Sequence, residues 1–335
     1  LPPNTSRPTF IHPSTPMTDS RFALPTLEES QQLRQAESIV HGNLVQMECE
    51  ELLHELAVDY TALPQVEQAL FSLRAALLTA PARVVRARDP TEAGTDTAPV
   101  AQPIDLPAGT AMRRWTTDTS SRRATSTVLD FSPPVRVELM GSFQLRTLAR
   151  PRCVVDVAVH MPASCFMRKD LLDYRYHDKR LLYVTCLHDH LRGASEGGSG
   201  GSSEEEEEAP AASSLYRDVR VVGFHSKDDL STKPILAVAP ATTGQWSGVE
   251  QSFTFRIHVC LDPTTFDTGK LSTTSGNLRI HRHPTTGDRL PTPRYNCSVL
   301  EDMYYPRHLR GLHAFSRSLH NPDSFCECAM LLKVW

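Results

Sequence analysis

Leu139-Met140-Gly141-Ser142, then thirteen residues from Phe143 to Val155, then Asp156-Val157-Ala158-Val159, is the stretch on which the fold turns. A tight Gly-Ser turn opening a helix lets backbone N–H groups approach a chain of phosphates. Acids at alternate positions of the following strand point the same way, and together they can hold two divalent metals that activate one oxygen and stabilise another. Asp156 supplies the first acid, but the second position is Ala158, which has no oxygen ligand. The later strand-like run Gln251 to Cys260 contains neither Asp nor Glu. A single carboxylate does not compensate two divalent cations. The expectation is a degenerate site at Gly141, Ser142, Asp156 and Ala158, with no catalytic residue, metal or cofactor.

Outward from this stretch, Val135, Val137 and Leu139 alternate with Arg136 and Glu138, the period of a half-buried strand that ends on Gly141-Ser142. Phe143 to Leu148 reads as a short helix, and Val154 to Val159 as a more buried strand. Asp170 is placed to cap a helix running through Leu171, Tyr174, Leu181, Leu182, Val184 and Leu187. Further strands are expected at Val219–Phe224, Ile235–Val238 and Phe253–Val259, giving a mixed sheet with flanking helices. Residues 193–214, rich in Gly, Ser and Glu, cannot bury a core and read as a disordered acidic insertion.

Residues 1–25, rich in Pro, Ser and Thr, also read as disordered. Thr26-Leu27-Glu28-Glu29 has the pattern of a capping box, opening a long helix with Leu33, Ala36, Ile39, Val40, Leu44 and Met47 at helical spacing. Pro64 suits the first turn of a second helix whose apolar face is Val66, Ala69, Leu70, Leu73 and Leu77, ended by Pro81. Residues 26–80 are therefore expected to be N-terminal helices. Residues 86–104 and 262–294 read as linkers, and 295–335 begins an all-helical unit with Val299, Leu300, Met303, Leu309, Leu312 and Phe315.

The Gly-Ser turn and Asp-x-acid spacing resemble the polymerase-β-like nucleotidyltransferases. Val155-Asp156-Val157-Ala158-Val159-His160-Met161-Pro162, Lys169-Asp170-Leu171-Leu172-Asp173-Tyr174-Arg175-Tyr176-His177-Asp178-Lys179-Arg180, Thr292-Pro293-Arg294-Tyr295-Asn296-Cys297-Ser298-Val299-Leu300 and Ala329-Met330-Leu331-Leu332-Lys333-Val334-Trp335 resemble the nucleolar RNA-associated protein (Nrap) family. The resemblance covers much of residues 135–190, is patchy to 260 and returns at 290–335. It implies an α+β, polymerase-β-like nucleotidyltransferase fold over residues 105–261. N-terminal helices precede it, and the start of a helical poly(A)-polymerase-like companion domain comes after it at 295–335. It further implies a nucleolar component of the small-subunit processome, with pre-rRNA or small nucleolar RNA and other processome proteins as partners. The missing acids suit a scaffold better than an enzyme. The acidic insertion and the N-terminal extension depart from the family pattern.

Composition neither adds nor removes a nucleic-acid partner. The formal net charge of -4 contains the five glutamates Glu204 to Glu208, without which the chain stands at +1. Eight scattered cysteines without paired C-x-x-C motifs fit a reducing compartment. No secretory pattern opens the chain and no run of about 18 apolar residues occurs, which argues against a membrane role. The apolar ending Met330 to Trp335 has no Gly or Pro stop behind it, as expected of a fragment of a longer chain.

Arg146, Arg150 and Arg152 beside the turn, with Lys179 and Arg180 beyond, are candidates to hold RNA phosphates without catalysis. Salt bridges from a solvated helix face to Asp170, Asp173 and Asp178 are the equally weighted alternative. Arg113-Arg114-Trp115 with Arg122-Arg123 reads as loop surface, and His281-Arg282-His283 and Cys326-Glu327-Cys328 lack the spacing of a zinc site. Three function classes stay open: an RNA-binding assembly scaffold, an active nucleotidyltransferase, and a protein-docking module without RNA contact.

Overall fold

The computed structural model describes residues 26–60, 63–87, 101–106, 127–151, 153–196, 215–223, 233–246, 249–274, 276–277 and 293–334. The chain divides into two compact units, Leu1–His54 and Glu55–Trp335. Helix α1 (Leu27–Leu56) opens on the expected capping box. The Thr26 N–H donates to Glu29 Oε2 at 2.8 Å and the Glu29 N–H donates back to Thr26 Oγ1 at 3.3 Å. Helix α2 (Pro64–Leu78) starts on its proline and buries Val66, Leu73 and Leu77, the face read from their spacing.

Three short strands come next: β1 (Arg83–Ala87), β2 (Gln102–Ile104) and β3 (Val128–Phe131). They form a sheet in the order β2-β1-β3, parallel on one side and antiparallel on the other. This sheet departs from the expected linker over 86–104 and from a domain opening at 105. Each strand is too short to show a period, and its pairing is decided by distant partners. Val85, Ile104, Leu129 and Phe131 join one core with Val66, Leu73, Val155 and Leu182, so no border separates α2 from the two sheets.

The main sheet uses β4 (Arg136–Met140), β5 (Cys153–His160), β6 (Tyr216–Val222), β7 (Ile235–Pro240) and, after the hairpin β8 (Gly244–Trp246) and β9 (Val249–Gln251), β10 (Phe253–Cys260). Its order is β4-β5-β10-β7-β6, with β5 and β10 parallel and the other pairs antiparallel, a mixed sheet as expected. Between β4 and β5 sits the one-turn helix α3 (Gly141–Gln144), shorter than the expected Phe143–Leu148 because Arg146 turns left-handed at φ 56°.

Helix α4 (Arg175–Glu196) crosses behind this sheet and buries Leu182, Val184, Leu187 and Leu191. It starts five residues after the expected cap. Asp173 and Tyr174 take φ of 53° and 60°, which breaks any helix there, and Asp170 instead accepts the Met167 N–H at 2.7 Å. At its other end α4 takes in Gly193 to Glu196, which composition alone assigns to the acidic insertion. The remainder of that insertion, 197–214, and the N-terminal segment 1–25 lie outside the described residues.

Helices α5 (Arg294–Ser318) and α6 (Pro322–Val334) make the expected helical end. The described part of the expected linker 262–294 is packed: Phe266 and Leu271 are buried, with the Phe266 ring 5.2 Å from that of Phe166. Asn296 of α5 donates to the Ser272 carbonyl at 2.9 Å, tying this segment to the helix.

A candidate cleft around Asp156

Register across β4, β5 and β10 sets out three rows of side chains on one face: Met140, Asp156 and Arg256; Glu138, Ala158 and His258; Arg136, His160 and Cys260. Each row holds one small or apolar residue, and Met140, Ala158 and Cys260 pack together against Leu309 of α5. The polar members pair among themselves. Arg256 Nε donates to Asp156 Oδ1 at 3.0 Å and Nη2 to Oδ2 at 3.4 Å. His258 Nε2 lies 3.1 Å from the same Oδ1.

Gly141 and Ser142, expected beside Asp156, are brought there by β4, whose last residue Met140 pairs with Asp156. Gly141 is left-handed at φ +72°, and a Cβ at this position would lie 2.8 Å from Asp156 Oδ2. Both the backbone conformation and the close approach call for glycine. Ser142 Oγ accepts a hydrogen bond at 2.8 Å from Lys333 Nζ of α6. Lys333 also donates to the carbonyl and hydroxyl oxygens of Thr147 at 2.6 and 3.0 Å, using all three of its protons. Burial lowers the pKa of this ammonium, and the charge of Asp156 partly restores it.

Tyr60 braces the segment between α3 and β5. Its hydroxyl oxygen accepts the Leu148 N–H at 3.0 Å and its ring meets Phe143 edge-on at 5.6 Å. Burial pushes the phenol up to about 12, so it stays neutral. Among the candidate RNA contacts, Arg146 is exposed with its guanidinium 5.9 Å from the Tyr60 ring centre. Arg150 is half-buried and its N–H donates to the Leu56 carbonyl at 3.1 Å.

Lys179 and Arg180 are not on a surface, and this corrects their assignment to RNA. Lys179 is buried, paired with Asp170 at 2.7 Å and donating to the Cys165 carbonyl. Arg180, 2% exposed, pairs with Asp302 of α5, which also accepts the Tyr176 hydroxyl at 2.7 Å. The alternative of a salt-bridged helix face holds for Asp170, but that face is buried, not solvated. Arg152, Arg113-Arg114-Trp115, Arg122-Arg123 and His281-Arg282-His283 lie outside the described residues. Cys326-Glu327-Cys328 sits on α6, where the Cys326 thiol lies 3.3 Å from the Leu145 carbonyl and Cys328 is exposed. Among the described residues no group of three or more His, Cys, Asp or Glu side chains converges as a metal site. Among them, too, no helix is long and apolar enough to cross a membrane.

Sequence reasoning missed Arg256, His258 and Lys333. Arg256 and His258 stand two apart on a strand otherwise made of apolar residues and Thr, a visible signal for one polar position per pleat. Lys333 carried no signal, because it reaches Ser142 from 191 residues away in sequence.

These features define an α+β domain whose mixed sheet presents the carboxylate of Asp156 clasped by its own arginine beside a Gly-Ser turn. The model of the family described as Nrap protein domain 1 matches residues 112–203 and 209–318, and the chain belongs to that family. It is similar to nucleolar protein 6 of Homo sapiens, 30% identical over 317 residues, which cover 93% of this chain and 24% of the relative. Nucleolar protein 6 of Xenopus tropicalis is 27% identical over 315 residues, with 93% and 24% covered. That of Mus musculus is 26% identical over 332 residues, with 97% and 25% covered. The chain thus spans about a quarter of the length of the curated relatives it matches. With relatives of this kind along almost its whole length, it is a nucleolar protein.

Proposed function

We infer that this domain is a catalytically silent, polymerase-β-like nucleotidyltransferase fold that works as a scaffold in nucleolar ribosome biogenesis. It binds pre-rRNA or small nucleolar RNA together with other small-subunit processome proteins. The observation that carries this reading is the clasp on Asp156. Two-metal transfer needs carboxylates around two cations about 3.5–4 Å apart. Here the partner position is the buried Ala158, and the parallel strand that would supply a third acid brings Arg256 and His258 instead. A guanidinium and an imidazole occupy the oxygens a metal would need, so the residues present do not fit the metal pair.

RNA retention asks less of the cleft, because cations need only lie near the phosphate chain. Arg146, Arg150 and Arg152 are the residues assigned to that role, now without Lys179 and Arg180. The test combines two measurements on the purified chain. With magnesium or manganese and each nucleoside triphosphate, an RNA 3′ end is not extended above a no-protein control. In a filter-binding series over salt, replacing the three arginines by alanine lowers affinity. It also reduces the slope of log K against log salt by about 0.7 for each phosphate that an arginine neutralises on single-stranded RNA. Extension abolished by Asp156→Asn would restore the enzyme reading. Affinity unchanged in the triple variant would leave a protein-docking module.

A further inference from the structure

Helix α1 carries its apolar residues on two opposite sides. At about 100° per residue, Leu33, Ala36, Val40, Leu44 and Met47 fall within an arc of roughly 80°. Cys49, Leu52, Leu53 and Leu56 centre on the far side of the helix. The two halves of the element thus point their apolar stripes in different directions. The second stripe ends on the buried Leu56. Along the first, Leu33, Val40, Leu44 and Met47 are 63%, 65%, 50% and 65% exposed. Helices with such a stripe gain most of their stability by burying it against something.

Charge decides what that something is. The helix holds seven glutamates against one arginine and no lysine. Glu37 and Glu48 border the exposed stripe and Glu51 stands in line with it one turn past Met47, whereas Arg34 and His41 lie farther round the helix. An acidic border repels a phosphate backbone, and two copies of this helix would set like charges against each other. It complements a cationic border.

We propose that the Leu33–Met47 face of α1 is a docking surface for a basic amphipathic helix of a partner protein. The partner's apolar seam lies in register over about 21 Å, the rise of the 14 residue steps from Leu33 to Met47 at 1.5 Å each. Its Lys and Arg side chains flank that seam opposite the glutamates. The surface shares no residue with the Asp156 cleft or with the arginines assigned to RNA, so docking and RNA retention succeed or fail separately.

The test uses the whole chain and a synthetic helical peptide about 20 residues long, with Leu at i, i+3, i+4 and i+7 and Lys or Arg elsewhere. A scrambled peptide of the same composition lacks the seam. Anisotropy titrations show the seamed peptide bound at least about tenfold more tightly than the scrambled one. Val40→Glu with Leu44→Glu removes that advantage, while circular dichroism keeps its helical signal because both positions are exposed. Glu37→Gln, Glu48→Gln and Glu51→Gln together weaken binding and flatten its salt dependence. Equal binding of the two peptides, or binding indifferent to both variants, would overturn the proposal. So would sedimentation showing a dimer that Leu44→Glu dissolves, which assigns the face to a second copy. A more than tenfold gain in peptide affinity on deleting residues 1–25 would likewise assign it to the chain itself.

Discussion

Arg256 holds Asp156 through two nitrogens from the neighbouring parallel strand, with Nε 3.0 Å from Oδ1 and Nη2 3.4 Å from Oδ2. The pairing is a consequence of register, since the two residues are Cα partners in the β5–β10 ladder. Side chains in paired positions of adjacent strands share a face and lie close enough to bond. An acid at position 256 would have shared a cation with Asp156; an arginine removes the need for one.

On the reading proposed above, an acid placed at position 158 is not expected to create a metal site. Ala158→Asp sets a new carboxylate between Glu138 and His258 at a position with no solvent exposure. Burying that charge beside another acid is expected to cost about 3–5 kcal/mol, read as a lower urea midpoint. Calorimetry with manganese should show no binding beyond that of the unaltered chain. Manganese-dependent RNA extension by Ala158→Asp alone would mean that Arg256 and His258 move aside for the ion.

The strands and the cleft were legible for a specific reason. Val137, Leu139, Val155 and Val157 repeat at period two, Gly141-Ser142 follows the first strand and Asp156 stands within the second, so the local pattern itself places the turn and the acid. Ala158 was legible as a gap because its position was defined by Asp156. Lys179 and Arg180 escape such a reading because composition marks them as charged, whereas their burial depends on Asp170 and on Asp302, 122 residues beyond Arg180. The small sheet of β1, β2 and β3 was invisible for the same reason: its strands are short, and what fixes them is pairing across the chain.

The Arg180–Asp302 pair should behave as a structural rivet between α4 and α5. Asp302 accepts from Arg180 and from the Tyr176 hydroxyl, and Lys233 Nζ stands 3.1 Å from its other oxygen. Asp302→Ala leaves the buried guanidinium without its carboxylate and is expected to cost about 3–5 kcal/mol. Arg180→Met costs less, because Tyr176 and Lys233 still pair with Asp302. The double variant Arg180→Met with Asp302→Leu should recover part of the loss, since no guanidinium is left unpaired while the buried Tyr176 hydroxyl gives up its acceptor. Denaturant melts of the three variants measure this order. An Arg180→Met loss equal to that of Asp302→Ala would show that the arginine, not the aspartate, organises the cluster.

Stability should also fall in mild acid, and His160 is the group responsible. Its ring is almost fully buried, and burial lowers its pKa from the ordinary imidazole value. Glu138 raises it in opposition, Arg136 lowers it further, and Asp262 raises it. The contacts fit one neutral tautomer: Nε2–H donates to Glu138 Oε1 at 2.6 Å, and Nδ1 accepts from Arg136 Nη2 at 3.3 Å. A proton on Nδ1 would end that acceptance and face the guanidinium with a second positive charge. With the folded pKa below the unfolded one, the unfolded chain binds the proton first as pH drops through about 6.5. Stability is therefore full above that value and declines between it and the folded pKa, with a slope of at most about 1.4 kcal/mol per pH unit from this one group. His160→Gln keeps a donor for Glu138 and an acceptor for Arg136 but does not titrate. Urea melts from pH 5 to 7.5 should show a shallower decline in that variant than in the unaltered chain, the difference isolating His160 from the other histidines. Parallel pH profiles would mean that His160 enters the folded state with its proton, held by Glu138 against burial.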